Sequence, residues 1–500
     1  MIENLQGGLG LLTTWNVALT ILICSVYGLF VGSVPGLTAT MATALLLPFT
    51  FFMDPVPALV SIVSMSAMAI FAGDIPAALV RIPGTPSSAA YTEDAYELTK
   101  QGKAELALGI SVVASSIGGL FGALVLMTAA PLLAEVALKF TSFEYFWLAA
   151  LGLSATVMIA STSPLKAGLA LMVGLFFSTV GLDITLGYPR FTFGSTELLN
   201  GINFIPAMIG LFGVSEILRN MASAHLRLPT TDVRARHIFR GVGHSLWKYR
   251  NHMMRSGPLG TFIGILPGAG ADIAAWIAYA MARRFSKEPE KFGKGAIEPI
   301  VGATTANNAC LAGAWVPALV FGIPGDSITA ILIGVLFMKG LRPGPEIFAR
   351  QPELVYAVYI SFLVANLLMI PFGYLAIRVS STMLRVPRNI LMPAILMFCV
   401  VGSYAINNSD FDVGTMLAMG ILGYFFEANG IPVAPVVLGI VLGPILEQNF
   451  MVSMIKSDWD LTEFFTRPTA AILGLLTVLT WAAPFLPAVV RRLRGGSAST

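Results

Sequence analysis

The sequence predicts an all-α polytopic membrane protein, and three observations carry that prediction. Hydrophobic residues make up 56% of the 500 and charged residues only 11%, far from the average of a soluble chain. Apolar runs of roughly 17 to 25 residues recur, long enough to cross ~30 Å of hydrocarbon. Two short apolar phrases centred on Pro-Gly are each written twice, in the same order in each half. The first two observations exclude a soluble enzyme and a strand-built outer-membrane barrel, whose alternating strands read differently. The ~20-residue criterion gives about a dozen membrane elements, some of them re-entrant.

The elements follow in order. Residues 10–52 carry a first helix and a break at Pro35-Gly36; 58–72 crosses; 74–90 contains a second break at Pro83-Gly84. Residues 91–105 are a polar, partly amphipathic connection, and 106–133, 145–160, 165–182 and 202–217 read as further spans. A second half begins at 257 with a break at Pro267-Gly268. Its run 296–318 leads to Pro324-Gly325 and then 328–338. The spans 355–377, 390–404, 413–426, 433–445 and 470–486 complete the chain. The implied division is a first membrane repeat over 1–218, a basic loop over 219–256, a second repeat over 257–490 and a tail over 491–500.

Charge sets the expected orientation. Between 219 and 255 stand Arg219, Arg227, Arg234, Arg236, Arg240, Lys248, Arg250 and Arg255 against the single acid Asp232. By the positive-inside rule this loop is cytoplasmic, and so is the tail with Arg491, Arg492 and Arg494. In this setting a nucleic-acid patch is the weaker reading. The segment 257–282 has basic sequence on both sides, so it enters and returns. Its first-half counterpart has almost no Lys or Arg around it, which suits the outer side and puts the N-terminus there. The two repeats are therefore expected to be inverted. The N-terminus lacks a basic n-region, so the first apolar segment is expected to be retained. Cys24, Cys310 and Cys399 show no metal or disulfide spacing and read as small buried apolar groups.

The duplicated breaks carry the functional expectation. Gly28 to Gly36 matches Gly260 to Gly268, and Val80 to Thr85 matches Phe321 to Asp326. Pro removes a backbone donor and Gly loosens the chain, so a helix breaks there. A helix restarting at a break points unpaired N–H groups and partial positive charge into the gap, and such ends hold anions. Freed carbonyls on the other side can take a small cation. Broken helices at matching places in two halves point to a transporter's binding site, whereas one alone reads as a kink. The candidate substrate contacts are Pro35, Gly36, Thr38, Thr40, Pro83, Gly84, Thr85, Ser87, Ser88, Pro267, Gly268, Asn307, Asn308, Pro324, Gly325 and Ser327. Adjacent Asn307 and Asn308 are costly to bury without partners and offer both donors and acceptors. Candidates for ion coupling are Asp272, Thr304, Asn307, Asn308 and Asp326, with Glu427 weaker. Either aspartate could instead cap its helix.

Enzyme readings fare badly. His225, His237, His244 and His252 all stand in the basic loop and not in an apolar span. That speaks against a haem or His-metal site in the membrane and against a Ser-His hydrolase. Gly268-Ala269-Gly270-Ala271-Asp272 differs by one residue from the Gly-x-Gly-Asp of intramembrane aspartyl proteases, and a second aspartate is lacking. No cofactor is expected beyond a coupling Na⁺ or H⁺.

Over nearly its whole length the chain resembles the large membrane subunit of tripartite tricarboxylate transporters, the TctA family. The residues that carry this are Val34-Pro35-Gly36, Ile82 to Pro86, Leu266 to Gly270, Ala306 to Ala309 and Gly322 to Asp326, continuing to Gly340 to Pro345. The resemblance implies a secondary carrier of the bacterial inner membrane that takes up carboxylates on a sodium or proton gradient. It implies two partners, a small TctB-like membrane subunit and a TctC-like periplasmic binding protein, and elevator-like movement of a transport domain. The family pattern often has an acid where Thr304 stands, Asn where Arg81 stands and Gly where Ala95 stands. Rival readings are a stand-alone carrier and a non-transporting scaffold.

Overall fold

The computed structural model describes residues 2–159, 163–183, 187–222, 237–383 and 388–482. These are helical almost throughout. Their one sheet is a two-residue hairpin, Gly181–Leu182 (β1) paired antiparallel with Pro189–Arg190 (β2). Among the described residues eight helices are long and apolar enough to cross a membrane, and four shorter apolar helices accompany them.

In the first half α1 (Ile2–Leu12) precedes α2 (Trp15–Ser33), and after a break α3 (Ala39–Phe51) follows. Next come α4 (Pro55–Ala72) and α5 (Asp74–Val80), a second break, a 3₁₀ turn (Ser87–Tyr91) and α6 (Thr92–Lys100). The long α7 (Ala104–Ala137) leads to α8 (Ser142–Ile159) and α9 (Pro164–Ser178). Beyond the hairpin, α10 (Phe204–Met208), a π-helical turn (Ile209–Val214) and α11 (Ser215–Ala222) run end to end.

The second half follows. The short α12 (Val242–Lys248) leads into α13 (Arg250–Ile265), a break and α14 (Ala271–Phe285). Then come α15 (Glu298–Val320), a break, α16 (Ser327–Met338), α17 (Pro345–Arg350) and α18 (Pro352–Met383). The chain continues through α19 (Arg388–Asn407), α20 (Asp410–Ala428), α21 (Ala434–Lys456), α22 (Glu463–Thr466) and α23 (Pro468–Ala482). α13 starts seven residues before the apolar segment does. Its basic turns are shielded by ring contacts, with the Arg250 guanidinium 4.8 Å from the Trp247 ring and that of Arg255 4.3 Å from Phe285.

Glycines set the packing inside each half. Gly28 and Gly32 of α2 lie directly against the backbone of Met65 and Ala69 in α4. Gly260 and Gly264 of α13 lie against the backbone of Ala306 and Cys310 in α15 in the same way. Small residues four apart let two membrane helices approach to backbone contact. α15 has 23 residues, ~35 Å at 1.5 Å each, and all but its first are buried. A helix sheathed by protein needs no lipid-facing side chains, which is why it tolerates Thr304, Thr305, Asn307 and Asn308.

The two broken rods run in opposite directions. Lys339, past the end of α16, donates to the Phe51 carbonyl at the end of α3, 2.7 Å away, beside the start of α4. At the far end Gln101, past α6, donates to the Lys294 carbonyl ahead of α15 at 3.4 Å. The broken hairpins differ from the rods. α13 starts and α14 ends on the side where Arg255 covers Phe285, so that segment enters and returns. Thr14 ahead of α2 and Asp54 after α3 line one surface groove, so the first hairpin returns as well.

Candidate functional site

Four breaks converge in the middle of the molecule. Gly36 and Gly268 adopt left-handed φ of 93° and 83°, a turn that only glycine makes without strain. The N–H of Gly268 donates to the Gly325 carbonyl at 2.7 Å, tying the third break to the fourth. Gly84 fits between the Gly73 backbone and the Gly32 carbonyl, tying the second break to the first.

Two of the restarted helices, α3 and α16, are capped by side chains, while α14 starts at Gly270 without one. The Thr38 hydroxyl accepts the Met41 N–H at 3.1 Å at the head of α3. Asp326 accepts the Thr329 N–H at 2.8 Å, and the Thr329 hydroxyl accepts the Asp326 N–H at 2.8 Å, a reciprocal box at the head of α16. At the aligned place in the first half the Ser88 hydroxyl accepts the Thr85 N–H at 3.3 Å and donates to the Thr85 carbonyl at 2.8 Å.

A cavity of about 390 Å³ lies where these pieces meet. The breaks contribute Thr38 and Thr40, then Thr85 and Ser87, then Gly268, Gly270 and Asp272, then Asp326 and Ser327. Helices outside the broken rods close the other side with Thr156 of α8, Phe212 of the π-helical turn, Glu216 and Arg219 of α11, Glu427 of α20 and the first turn of α21. Sequence reasoning missed Thr156, Phe212, Glu216 and the position of Arg219. Arg219 opens a basic stretch and so reads as loop, yet it stands on α11 with Glu216 one turn away. That i, i+3 spacing was the available signal.

The remaining candidates stand behind the lining. Pro35, Pro83, Pro267 and Pro324 shape the breaks and do not line the cavity. The Gly36 carbonyl accepts from the Asn220 amide at 2.8 Å. Gly325 packs on Ala314. The Thr304 hydroxyl donates to the Ile300 carbonyl at 2.7 Å. The Asn307 amide donates to Ser87 Oγ at 2.9 Å and so braces a cavity residue. That of Asn308 turns to Asn366 Oδ1 at 3.4 Å. Both asparagine Oδ1 atoms are buried without a partner, at about 1–3 kcal/mol each. Arg81 points away from the cavity, and its guanidinium pairs with Glu93 at 2.9 Å with more than half of each side chain exposed. His225, the arginines from 227 to 236 and the tail arginines lie outside the described residues. All three cysteines are free and buried.

The lining is electrostatically divided. Thr38, Thr40, Thr85 and Ser87 from the first half offer hydroxyls. Asp272 and Asp326 from the second half offer carboxylates, joined by Glu216 and Glu427. Among the described residues Arg219 is the one basic lining residue; it pairs with Glu216 at 2.5 Å and lies 3.5 Å from Glu427. Hydroxyls and helix starts are the chemistry that suits an anion, and carboxylates the chemistry that suits a cation.

Comparison with known proteins now fits this geometry. The model of the tripartite tricarboxylate transporter TctA family matches residues 18–438. This chain belongs to the TctA family. The match covers every break and every cavity-lining residue. A protein of Agrobacterium vitis described as "Uncharacterized 52.8 kDa protein in TAR-I ttuC' 3'region" is 38% identical over 469 residues, 92% of each chain. Another from that organism, "Uncharacterized protein in TAR-II ttuC' 3'region", is 39% identical over 228 residues, 45% of this chain and 94% of its own. No solved structure matches. As a TctA-family membrane protein the chain is a transporter permease and not a member of an enzyme family.

Proposed function

We propose that this chain is the large subunit of a binding-protein-dependent carrier that brings a carboxylate across the bacterial inner membrane, driven by Na⁺ or H⁺. The observation that carries this is the central cavity with residues from all four breaks in its wall. The substrate carboxylates take the helix starts and hydroxyls of Thr38, Thr40, Thr85 and Ser87, with Arg219 as their charged partner. An anion in a chamber with four carboxylates and one guanidinium is repelled unless a cation accompanies it. That supports coupling, and Asp272 and Asp326 are the cavity residues of the sign to attract the cation.

Two further parts of the reading have structural support. The opposite course of the rods α4–α6 and α15–α16 favours inverted repeats. Glycine contacts between the π-helical turn and α20 and between α9 and α21, at Gly210, Gly420, Gly174 and Gly439, form smooth seams along which one body could slide. This suits an elevator-like movement. The family implies a TctB-like membrane subunit and a TctC-like binding protein as partners.

Uptake of labelled citrate and succinate into proteoliposomes tests this. The vesicles hold this chain and its small subunit, with or without the binding protein, under separate Na⁺ and pH gradients. Flux that requires the binding protein and a gradient supports the reading. Flux without the binding protein makes the chain a stand-alone carrier, and no flux across a broad acid panel favours a scaffold.

A further inference from the structure

Asp74 is a carboxyl that the cavity does not use. It opens α5 within the first broken rod and is 2% exposed. Two hydroxyls reach it, Tyr91 on one oxygen and Ser111 on the other. No cation does so. Against α5 pack α2, α4, the 3₁₀ turn, α6 and α7. α2 and α4 carry no charged side chain, and the α2 groups that titrate, Cys24 and Tyr27, look elsewhere, Tyr27 to the Ala42 carbonyl. On α6 Glu93 holds Arg81, Glu97 holds Lys100, and Asp94 holds Tyr279 and the loop before α15. On α7 Glu105 holds the His237 N–H, and Glu135 lies at the helix's far end. Tyr96 of α6 has the Lys100 ammonium over its ring. Among the described residues Tyr91 is thus the one titratable group bonded to Asp74. A carboxyl at this depth with no basic partner is costly to hold as a fixed charge and suits proton exchange.

The carboxyl is one layer behind the cavity wall and wired to it. Gly73, the residue before it, lies so close to Thr85 that an added Cβ would meet the Thr85 Oγ1 at 2.7 Å. Thr85 and Ser87 hydroxyls bond at 3.1 Å, and Ser87 Oγ accepts from the Asn307 amide at 2.9 Å. The same amide faces the Tyr91 hydroxyl. An amide nitrogen only donates, so Ser87 and Tyr91 must direct their own protons elsewhere. Ser87 aims at Thr85 and the cavity, Tyr91 at Asp74. Ser111 remains free to turn, donating to an ionised carboxyl and accepting from a protonated one. The frame around Asp74 therefore fits both states.

We propose that Asp74 carries the coupling proton of this transporter. The proton adds to the oxygen facing Ser111 and leaves from it, with no other bond made or broken. Its arrival relaxes the pull on Tyr91 and, through Asn307, changes how Ser87 and Thr85 donate to the substrate. This rests on the carrier reading above and, of the two ions that reading allows, takes H⁺, held behind the cavity wall at Asp74 and not at Asp272 or Asp326.

The test uses the complete complex in proteoliposomes, wild type and Asp74→Asn, with two readouts. Infrared difference spectra across pH should contain a protonated-carboxyl band that titrates in wild type and is absent in Asp74→Asn. Ser111→Ala should move its midpoint. Identical spectra in wild type and Asp74→Asn overturn the proposal, whatever the substrate. In transport, Asp74→Asn should keep exchange of external labelled for internal unlabelled citrate or succinate, yet lose pH-gradient-driven accumulation. Equal accumulation by both proteins overturns the proton site and spares the carrier. Wild type without any exchange counts against the carrier, and the infrared result still decides the proton site.

Discussion

Arg81 and Arg219 illustrate how little a charge means until its backbone is known. Arg81 sits at φ 59°, in the left-handed region, and its aligned partner Gly322 sits at 69°. The break demands that turn in both halves, and an arginine adopts it at a cost of roughly 1 kcal/mol. The pair with Glu93 is exposed on both sides and returns little. Arg81→Asn, which tolerates that turn, should leave the thermal midpoint in detergent within a few degrees and uptake unchanged; lost uptake would put Arg81 in the substrate path. Arg219 is the opposite case. Removing a charged donor from a carboxylate costs about 1.5–3 kcal/mol, so Arg219→Gln should raise the half-saturation concentration ~10- to 100-fold. An unchanged saturation curve would show that Arg219 serves only Glu216 and Glu427. Asp94 makes a third test. Its Oδ1 accepts the N–H groups of Gly293, Gly295 and Ala296 at 2.8 to 3.0 Å, pinning α6 to the head of α15. Asp94→Ala orphans all three, and unfolding in denaturant should register a loss of at least ~1–3 kcal/mol.

Among the elements, the seams α2–α4 and α13–α15 depend on absent side chains. A Cβ at Gly32 or Gly264 would collide with the opposing backbone, which cannot yield as a flexible side-chain end can. Gly32→Leu and Gly264→Leu should each abolish monodisperse protein on size exclusion, while Gly243→Ala, with nothing near it, should behave as wild type. At this scale sequence and structure can be weighed against each other. The breaks were legible because Pro and Gly act locally, on their own hydrogen bonds and dihedrals. Thr38, Thr85, Asp272 and Asp326 were legible because they follow those breaks directly. Asn307 and Asn308 were not separable by sequence. Neighbours on a helix point ~100° apart, so one braces Ser87 and the other turns to α18, and only packing decides which. Thr156 was illegible for another reason: it stands on a helix in no register with the breaks and meets Gly268 far along the chain. Glu216 carried one local signal, its i, i+3 spacing to Arg219, but nothing in that spacing says that the pair faces a cavity.

The whole molecule turns on direction. Positive residues set the expected side of the second hairpin, but the first hairpin had only a lack of charge to argue from. In the structure the start of the first broken rod meets the end of the second, and the reverse holds at the other face. Thr14 and Lys287 are exposed at the mouths of the two hairpins, and the native Cys24, Cys310 and Cys399 are buried, so introduced cysteines report with little background. In intact cells stripped of their outer membrane, Thr14→Cys should react with a membrane-impermeant maleimide from outside. Lys287→Cys should react only in inverted vesicles if Arg283, Arg284, Lys287, Lys291 and Lys294 follow the positive-inside rule. Labelling of both from one side would make the repeats parallel. The four helix starts would then no longer face one another across a midplane, and the central cavity would lose its standing as a transport chamber.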